Sequence, residues 1–151
     1  MSDRFLVVIP ADPATALPET AEGIRSALAA MADGNESRVK DYGKLQFIDA
    51  GQNFERITCP ACAAEIDAAA TWHDWMESDF HGEDGFHLHR HETPCCGMEM
   101  TLNELVYHFP QGFARWFVSA RNVNRGPLTP DEIMRLEEIA GFKLTAIAQR
   151  Y

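Results

Sequence analysis

All four cysteines of this 151-residue chain fall in two tight pairs. The first pair is Cys59 and Cys62 in the segment Cys-Pro-Ala-Cys, and the second is Cys95 and Cys96 in Pro-Cys-Cys-Gly. Two thiol pairs beside prolines, the second followed by Gly97, are typical of a tetrahedral Zn²⁺ site that joins distant segments of a chain. We therefore predict a structural zinc ion held by these four cysteines.

The second pair sets a geometric condition, because adjacent residues of an extended chain point their side chains in opposite directions. Cys95 and Cys96 can reach one ion only if the backbone turns there, and Gly97 makes such a turn easy. An alternative ligand set has three cysteines and one histidine, with His91 as the nearest candidate and His89 behind it.

The alternation of His87, His89 and His91 would place these side chains on one face of a strand. We interpret this face as polar and solvated. A separate metal triad made of these three histidines is the alternative hypothesis.

The segment 63–94 between the cysteine pairs is longer than the roughly 15 to 20 residues of a common zinc ribbon. The pattern predicts a strand over 54–58 before the first pair and a helix over 63–80 after it. A capping-box sequence beginning at Thr101 predicts another helix, which ends near Pro110. The region 53–109 is therefore predicted to be a zinc-ribbon-like insert that contains helices.

Strand, helix and strand patterns flank this insert on both sides. Before it we predict a strand over 4–9, a helix from 17 to 31 that Gly34 could end, a polar turn-rich segment over 33–44 and a strand over 45–49. After it we predict strands over 112–121 and 143–151, with a helix over 131–140 between them. The halves 1–52 and 110–151 thus predict a single α+β domain with a ferredoxin-like split βαβ core.

Net charge and apolar run length limit the location and the partners. A formal charge of -10 repels phosphate backbones, so we expect no nucleic-acid partner. The apolar run at 5–9 is too short for a signal peptide, and no run approaches the roughly 20 residues of a membrane span. We therefore predict a soluble cytoplasmic protein.

Acidic residues are concentrated between the cysteine pairs. Those residues are Glu65, Asp67, Asp74, Glu77, Asp79, Glu83, Asp84 and Glu92. A solvated face is the plain interpretation, and a docking surface for a basic protein partner is the alternative.

A candidate partner surface lies on the strand predicted over 112–121. Phe113, Arg115, Phe117 and Arg121 share one face at a period of two residues. Arginine and aromatic residues carry much of the energy of protein interfaces, so we predict partner binding at these four positions. In the alternative, the two phenylalanines pack beneath the insert and the arginines pair with its acidic residues.

Several segments together resemble a family of small bacterial proteins of unknown function. They are the two cysteine pairs, Thr-Leu-Asn-Glu-Leu at 101–105 and Gly-Phe-Ala-Arg at 112–115. The resemblance spans nearly the whole chain and implies a bacterial source and a metal site at the four cysteines, with no implied activity. The chain departs from the pattern at Ala63, where a glycine would be usual after the second cysteine of a zinc knuckle.

These features predict a non-catalytic, zinc-stabilised binding module. Its concrete form would be an immunity-type or regulatory protein that docks on a protein partner. One alternative is a thiol-disulfide oxidoreductase that uses Cys59 and Cys62, since a following helix would favour the Cys59 thiolate. A further alternative is a zinc hydrolase with an open metal position, in which Glu92 or Glu99 would act as base.

Overall fold

The computed structural model describes residues 3–32, 36–122 and 124–151. This part of the chain is a mixed α and β structure with three α-helices and three antiparallel sheets. The elements in chain order are β1 (Arg4–Pro10), α1 (Ala21–Met31), β2 (Ser37–Ile48), β3 (Ile57–Thr58), β4 (Glu65–Ile66), α2 (His73–Asp79), β5 (His91–Glu92), β6 (Glu99–Met100), β7 (Val106–Tyr107), β8 (Gly112–Arg121), α3 (Pro130–Ala140) and β9 (Leu144–Arg150). Among the described helices, none has both the length and the apolar character needed to cross a lipid bilayer.

The largest sheet has four strands in the order β2-β8-β1-β9, and every neighbouring pair is antiparallel. Helices α1 and α3 both pack on one face of this sheet. Their buried residues Ile24 and Leu136 join Leu6, Val8 and Trp116 in one apolar cluster. The alternation of side chains along β1 therefore decides which residues face the helices.

The other face of the sheet carries a second apolar cluster, which includes Val7, Ile9 and Phe117. At one end of β8, Phe113 instead belongs to a third cluster that it shares with the region between β2 and β8. The ring of Phe113 lies 5.1 Å from the rings of both Phe47 and Phe86. The cysteine-bearing region is thus anchored on the sheet through aromatic contacts.

Several predicted elements are confirmed at close to their predicted bounds: the strands over 4–9 and 112–121, the helix over 131–140 and the last strand. The prediction for 33–44 was wrong, because β2 begins at Ser37. This strand lies at the edge of the sheet, where Arg38 and Lys40 remain exposed, so its composition is polar and resembles a loop. Helix α1 begins at Ala21, and Gly34 lies outside the described residues.

The insert contains less helix than its sequence predicts. In place of one helix over 63–80, the structure has β4, then a π-helical turn over Ala68–Trp72, then α2. The capping box at Thr101 does form, but it caps only a 3-10 turn over Leu102–Glu104. Local capping signals fix where a helical turn begins, whereas tertiary pairing decides how far it continues.

The N-terminus of α3 combines a capping box with an ion pair. The Glu132 carboxylate accepts from the Thr129 N–H at 2.9 Å, and the Glu132 N–H donates to Thr129 Oγ1 at 3.2 Å. Two nitrogens of Arg125 bind the same carboxylate at 2.6 and 2.7 Å. Hydrogen bonds from Arg125, aided by the Thr129 N–H, lower the pKa of Glu132 to about 2.

Acid is therefore expected to weaken this helix terminus. Because the folded-state pKa lies below that of an unfolded glutamate, the stabilisation is complete above about pH 4.5 and is lost as the pH falls towards 2. In unfolding experiments monitored by circular dichroism, the free energy of unfolding of Glu132→Gln should fall less steeply than that of the wild type as the pH is lowered over this window. The control variant is Asp131→Asn, which changes the neighbouring exposed acid, and parallel curves for wild type and Glu132→Gln would contradict the prediction.

Candidate metal centre

The four cysteine sulfurs converge, as all of them lie within 4.8 Å of one another. Cys59 Sγ is 3.7 Å from Cys96 Sγ, and Cys62 Sγ is 3.3 Å from Cys95 Sγ. Sulfurs bound to Zn²⁺ at about 2.3 Å occupy tetrahedron corners about 3.8 Å apart. The cluster therefore has the number, chemistry and approximate spacing of ligands for a tetrahedral ion.

Two equivalent hairpins bring the sulfurs together. Strands β3 and β4 pair Ile57 with Ile66 around the first cysteine pair, and β5 and β6 pair His91 with Met100 around the second. The two segments align residue by residue in sequence, with Cys59-Pro-Ala-Cys-Ala-Ala opposite Thr93-Pro-Cys-Cys-Gly-Met. The second hairpin thus carries a threonine at the position of the first cysteine.

The same backbone hydrogen bonds close both turns. In the first turn the Cys59 N–H donates to Ala64 O at 2.9 Å, and the Thr93 N–H donates to Met98 O at 2.9 Å in the second. A second bond runs back across each turn: the Ala63 N–H donates to Cys59 O at 3.0 Å, and the Gly97 N–H donates to Thr93 O at 2.9 Å. The second turn therefore has the same backbone hydrogen bonds as the first. Its first cysteine, Cys95, lies after the proline, whereas Cys59 lies before it, and this turn lets the adjacent Cys95 and Cys96 face one centre.

The knuckle turn requires a left-handed residue, with φ of 63° at Ala63 and 70° at Gly97. This conformation costs an L-residue about 1 kcal/mol that glycine does not incur. We expect Ala63→Gly to stabilise the protein by about 0.5–1 kcal/mol and Gly97→Ala to destabilise it similarly. Thermal unfolding measures both, and Ala61→Gly in the same turn is the control that should bring no gain. A loss of stability in Ala63→Gly would argue against the turn geometry.

The hairpins enclose an apolar cluster that one of the cysteines joins. Cys59 is buried and packs with Ile57, Ile66, Met100 and Phe113, whereas the other three cysteines are exposed. The centre therefore lies at the rim of the insert's own core. An ion there would connect the two hairpins across the edge of that core.

Backbone donors act on the sulfurs. The Cys62 N–H, together with that of Ala61, lowers the pKa of Cys59 to about 6, against the opposing effect of desolvation. The Thr93 side chain and the Met98 N–H lower the pKa of Cys96.

The pKa of Cys62 moves in the other direction. The Ala64 N–H lowers it, but the neighbouring thiols, Cys95 first, outweigh this effect and raise it to about 12. The cluster therefore lowers the pKa of Cys59 and Cys96 and raises that of Cys62, and a cation bound at Cys62 would displace the thiol proton.

No helix begins at Cys59, so the expected source of its thiolate stabilisation was wrong. Cys62 is followed by the turn and by β4, and the first helical turn begins only at Ala68. The low pKa arises from backbone N–H groups of the knuckle. In addition, the two short sulfur distances run between the hairpins and join Cys59 to Cys96 and Cys62 to Cys95.

His91, the predicted substitute ligand, is held elsewhere. Its Nε2 lies 3.0 and 3.1 Å from the two carboxylate oxygens of Asp79, and its ring stacks on Trp75 with a centroid distance of 5.0 Å. Asp79 is fully buried, while the other acidic residues of the insert named above are exposed. This pair ties α2 to the hairpin that carries the second cysteine pair.

The residues predicted to bind a partner have different environments. Phe113 is fully buried, and Arg115 donates to Gly43 O at 3.1 Å. Arg121 pairs with Asp3 at 2.9 Å, so its acidic partner lies outside the insert. Phe117 is 7% exposed and lines a cavity of about 540 Å³ on the helix-free face, with Arg38 stacked 5.2 Å above its ring.

Comparisons with known proteins add no assignment, because no family model, no curated protein and no solved structure matched the chain. The resemblance to a family of small bacterial proteins therefore stays a prediction.

Proposed function

We propose that this chain is a non-catalytic binding module stabilised by a structural Zn²⁺ ion at Cys59, Cys62, Cys95 and Cys96. The observation that carries the proposal is the convergence of four sulfurs within 4.8 Å at the junction of two hairpins. Four cysteine ligands complete a tetrahedral shell, as in structural sites, whereas catalytic zinc retains an open position for water. This ligand count favours a structural role for the centre over hydrolysis.

The proposed architecture is a ferredoxin-like core that carries a zinc-ribbon-like insert. The strand order β2-β8-β1-β9, with α1 and α3 on one face, supports such a split βαβ core. The insert between β2 and β8 supplies both hairpins of the metal centre. The resemblance noted above would make this architecture that of a small bacterial family.

The proposed role is docking on a basic protein in the cytoplasm, as an immunity-type or regulatory protein. The exposed carboxylates of the insert support it, because the formal charge of -10 is concentrated there. Electrostatic complementarity mainly sets the rate and the specificity of association. The interaction should therefore weaken as ionic strength rises.

Charge reversal on the insert tests the docking proposal. Immobilised protein should retain basic proteins from a bacterial extract at low salt, and Asp74→Lys with Glu83→Lys should abolish that retention. The charge-matched control is Glu19→Lys with Glu138→Lys, which changes exposed acids outside the insert. This control variant should still retain the basic proteins. Equal retention by both double variants would refute docking through the insert.

A thiol-disulfide oxidoreductase is the second candidate function, favoured by the pKa of about 6 at Cys59. The burial of Cys59 counts against it, because a nucleophilic thiol must reach its substrate. Reaction of the native protein with a thiol reagent separates the two functions. In a zinc module no thiol should react rapidly until a chelator and denaturant are added. In an oxidoreductase one thiol, that of Cys59, should react rapidly in the native protein.

A further inference from the structure

Three histidines outside the cysteine cluster also converge. Suitable ring nitrogens of His81, His87 and His89 all lie within 4.8 Å of one another, and all three side chains are exposed. Nε2 of His81 is 3.0 Å from Nε2 of His89, and the rings of His81 and His87 stack with centroids 4.0 Å apart. Nitrogens bound to Zn²⁺ at about 2.0–2.1 Å lie about 3.3 Å apart at tetrahedral corners, which is close to the shortest of these separations.

Hydrogen bonds fix the backbone at all three histidines. The His81 N–H donates to Gly85 O and the His87 N–H donates to Asp79 O, both at 2.8 Å. The His89 N–H donates to His87 O at 2.9 Å, and this tight turn brings two alternate side chains to the same side. The three histidines therefore lie on a hydrogen-bonded segment of backbone.

The loop that carries His87 is also fixed to the main sheet. The Phe86 N–H donates to Leu45 O at 2.9 Å, and the ring of Phe86 contacts those of Phe80 and Phe113. Gly85 approaches Leu45 so closely that a Cβ would collide with its carbonyl oxygen. A site on this loop would thus form with little ordering cost.

We propose that His81, His87 and His89 form a second metal site, which binds a divalent transition-metal ion of the Zn²⁺, Ni²⁺ and Cu²⁺ class. Imidazole nitrogen is a preferred ligand of these ions. Three protein ligands leave one coordination position of a tetrahedral ion for water or another small ligand. This site differs from the thiolate centre in that its ion is exposed and exchangeable.

The three converging histidines differ from the alternative triad of His87, His89 and His91 that their alternation suggested. His91 is held by Asp79 and Trp75, and its place is taken by His81, which follows α2. The exposed acids Glu83 and Asp84 lie in the turn between His81 and His87, where their charge favours a cation. The alternation in the sequence includes His87 and His89 but does not include His81.

Zinc titration of the full chain tests the second site. Protein made without a polyhistidine tag, with its metal content first measured, is dialysed against Zn²⁺ and the added metal is counted by plasma mass spectrometry. We expect one further equivalent per chain. His89→Ala should weaken this binding at least tenfold, while His73→Ala, an exposed histidine outside the triad, should leave it unchanged.

Ring-nitrogen NMR identifies the ligands directly. Added Zn²⁺ should shift the ring signals of His81, His87 and His89 and leave those of His73 and His108 in place. The proposal is overturned if no further zinc binds, or if His89→Ala and His73→Ala bind it equally. Either failure is independent of the thiolate centre, because the metal content before dialysis is counted separately.

Discussion

Cys59→Ala is expected to lower the melting temperature by more than about 15 °C and to unfold the insert. Structural zinc supplies roughly 10 kcal/mol to the folding of zinc-finger peptides, and each kcal/mol corresponds to about 2–4 °C in a chain of this size. The substitution also opens the apolar cluster beneath the two hairpins. Fluorescence of Trp72 and Trp75, which pack against that cluster, should shift to the red.

Thr93→Ala provides the matched control for this prediction. Thr93 occupies in the second hairpin the position that Cys59 occupies in the first, and it is also buried. Its hydroxyl accepts from the Met98 N–H at 3.1 Å and lies 3.4 Å from Cys96 Sγ. The change removes these contacts but no ligand, so it should cost only about 1 kcal/mol and retain the metal. Equal melting temperatures for Cys59→Ala and Thr93→Ala would contradict a metal-centred account of the insert.

The equivalence of the two turns allows a rescue experiment. Cys95→Ala removes one ligand, and the added change Thr93→Cys places a sulfur at the position equivalent to Cys59. We expect the double variant to recover zinc and thermal stability that Cys95→Ala alone lacks. A double variant without metal would show that the second turn cannot accept the ligand spacing of the first.

Asp79→Ala is the second large effect that we expect, with a loss of about 3 kcal/mol. The carboxylate is fully buried and accepts from His91, so its removal leaves a largely buried imidazole without its acceptor. Loss of this link should also loosen the contact between α2 and the second hairpin. Denaturant unfolding measures the loss, which corresponds to about 6–12 °C in melting temperature.

Asp74→Ala is the control for the buried carboxylate. It removes the same group from the same helix, but Asp74 is exposed, so the expected change is within about 0.5 kcal/mol. Asp79→Asn, which retains an oxygen acceptor, should fall between the two. If Asp79→Ala costs no more than Asp74→Ala, then the contact of Asp79 with His91 is not a structural link.

The sequence was sufficient to predict elements whose signals are local. The helix from Pro130 is bounded by Thr129 and Gly141, and β8 is rich in apolar and aromatic residues. It was insufficient for β2, whose polar residues lie on an edge strand, and for 63–80, where hairpin pairing interrupts a helical pattern. In both cases the conformation depends on the strand with which the segment pairs, β8 for β2 and β3 for β4, and its own composition does not show that partner.

The candidate site was predictable in composition but only partly in geometry. The convergence of four cysteine sulfurs agrees with the predicted ligand set, since cysteine pairing is a strong local signal. The equivalence of Thr93 to Cys59 could have been noticed by aligning the two segments on their prolines. By contrast, the burial of Asp79 and the placement of His81 depend on how α2 packs, which the sequence does not encode locally.

The metal content of protein purified without added metal or chelator shows whether the four cysteines hold a zinc ion. Plasma mass spectrometry should find one tightly held zinc per chain, which is lost in Cys59→Ala and kept in His89→Ala. Thiol titration should find all four cysteines masked until the metal is removed. A native protein without metal, in which Cys59 reacts rapidly, would contradict the account and make Cys-Pro-Ala-Cys a candidate redox site.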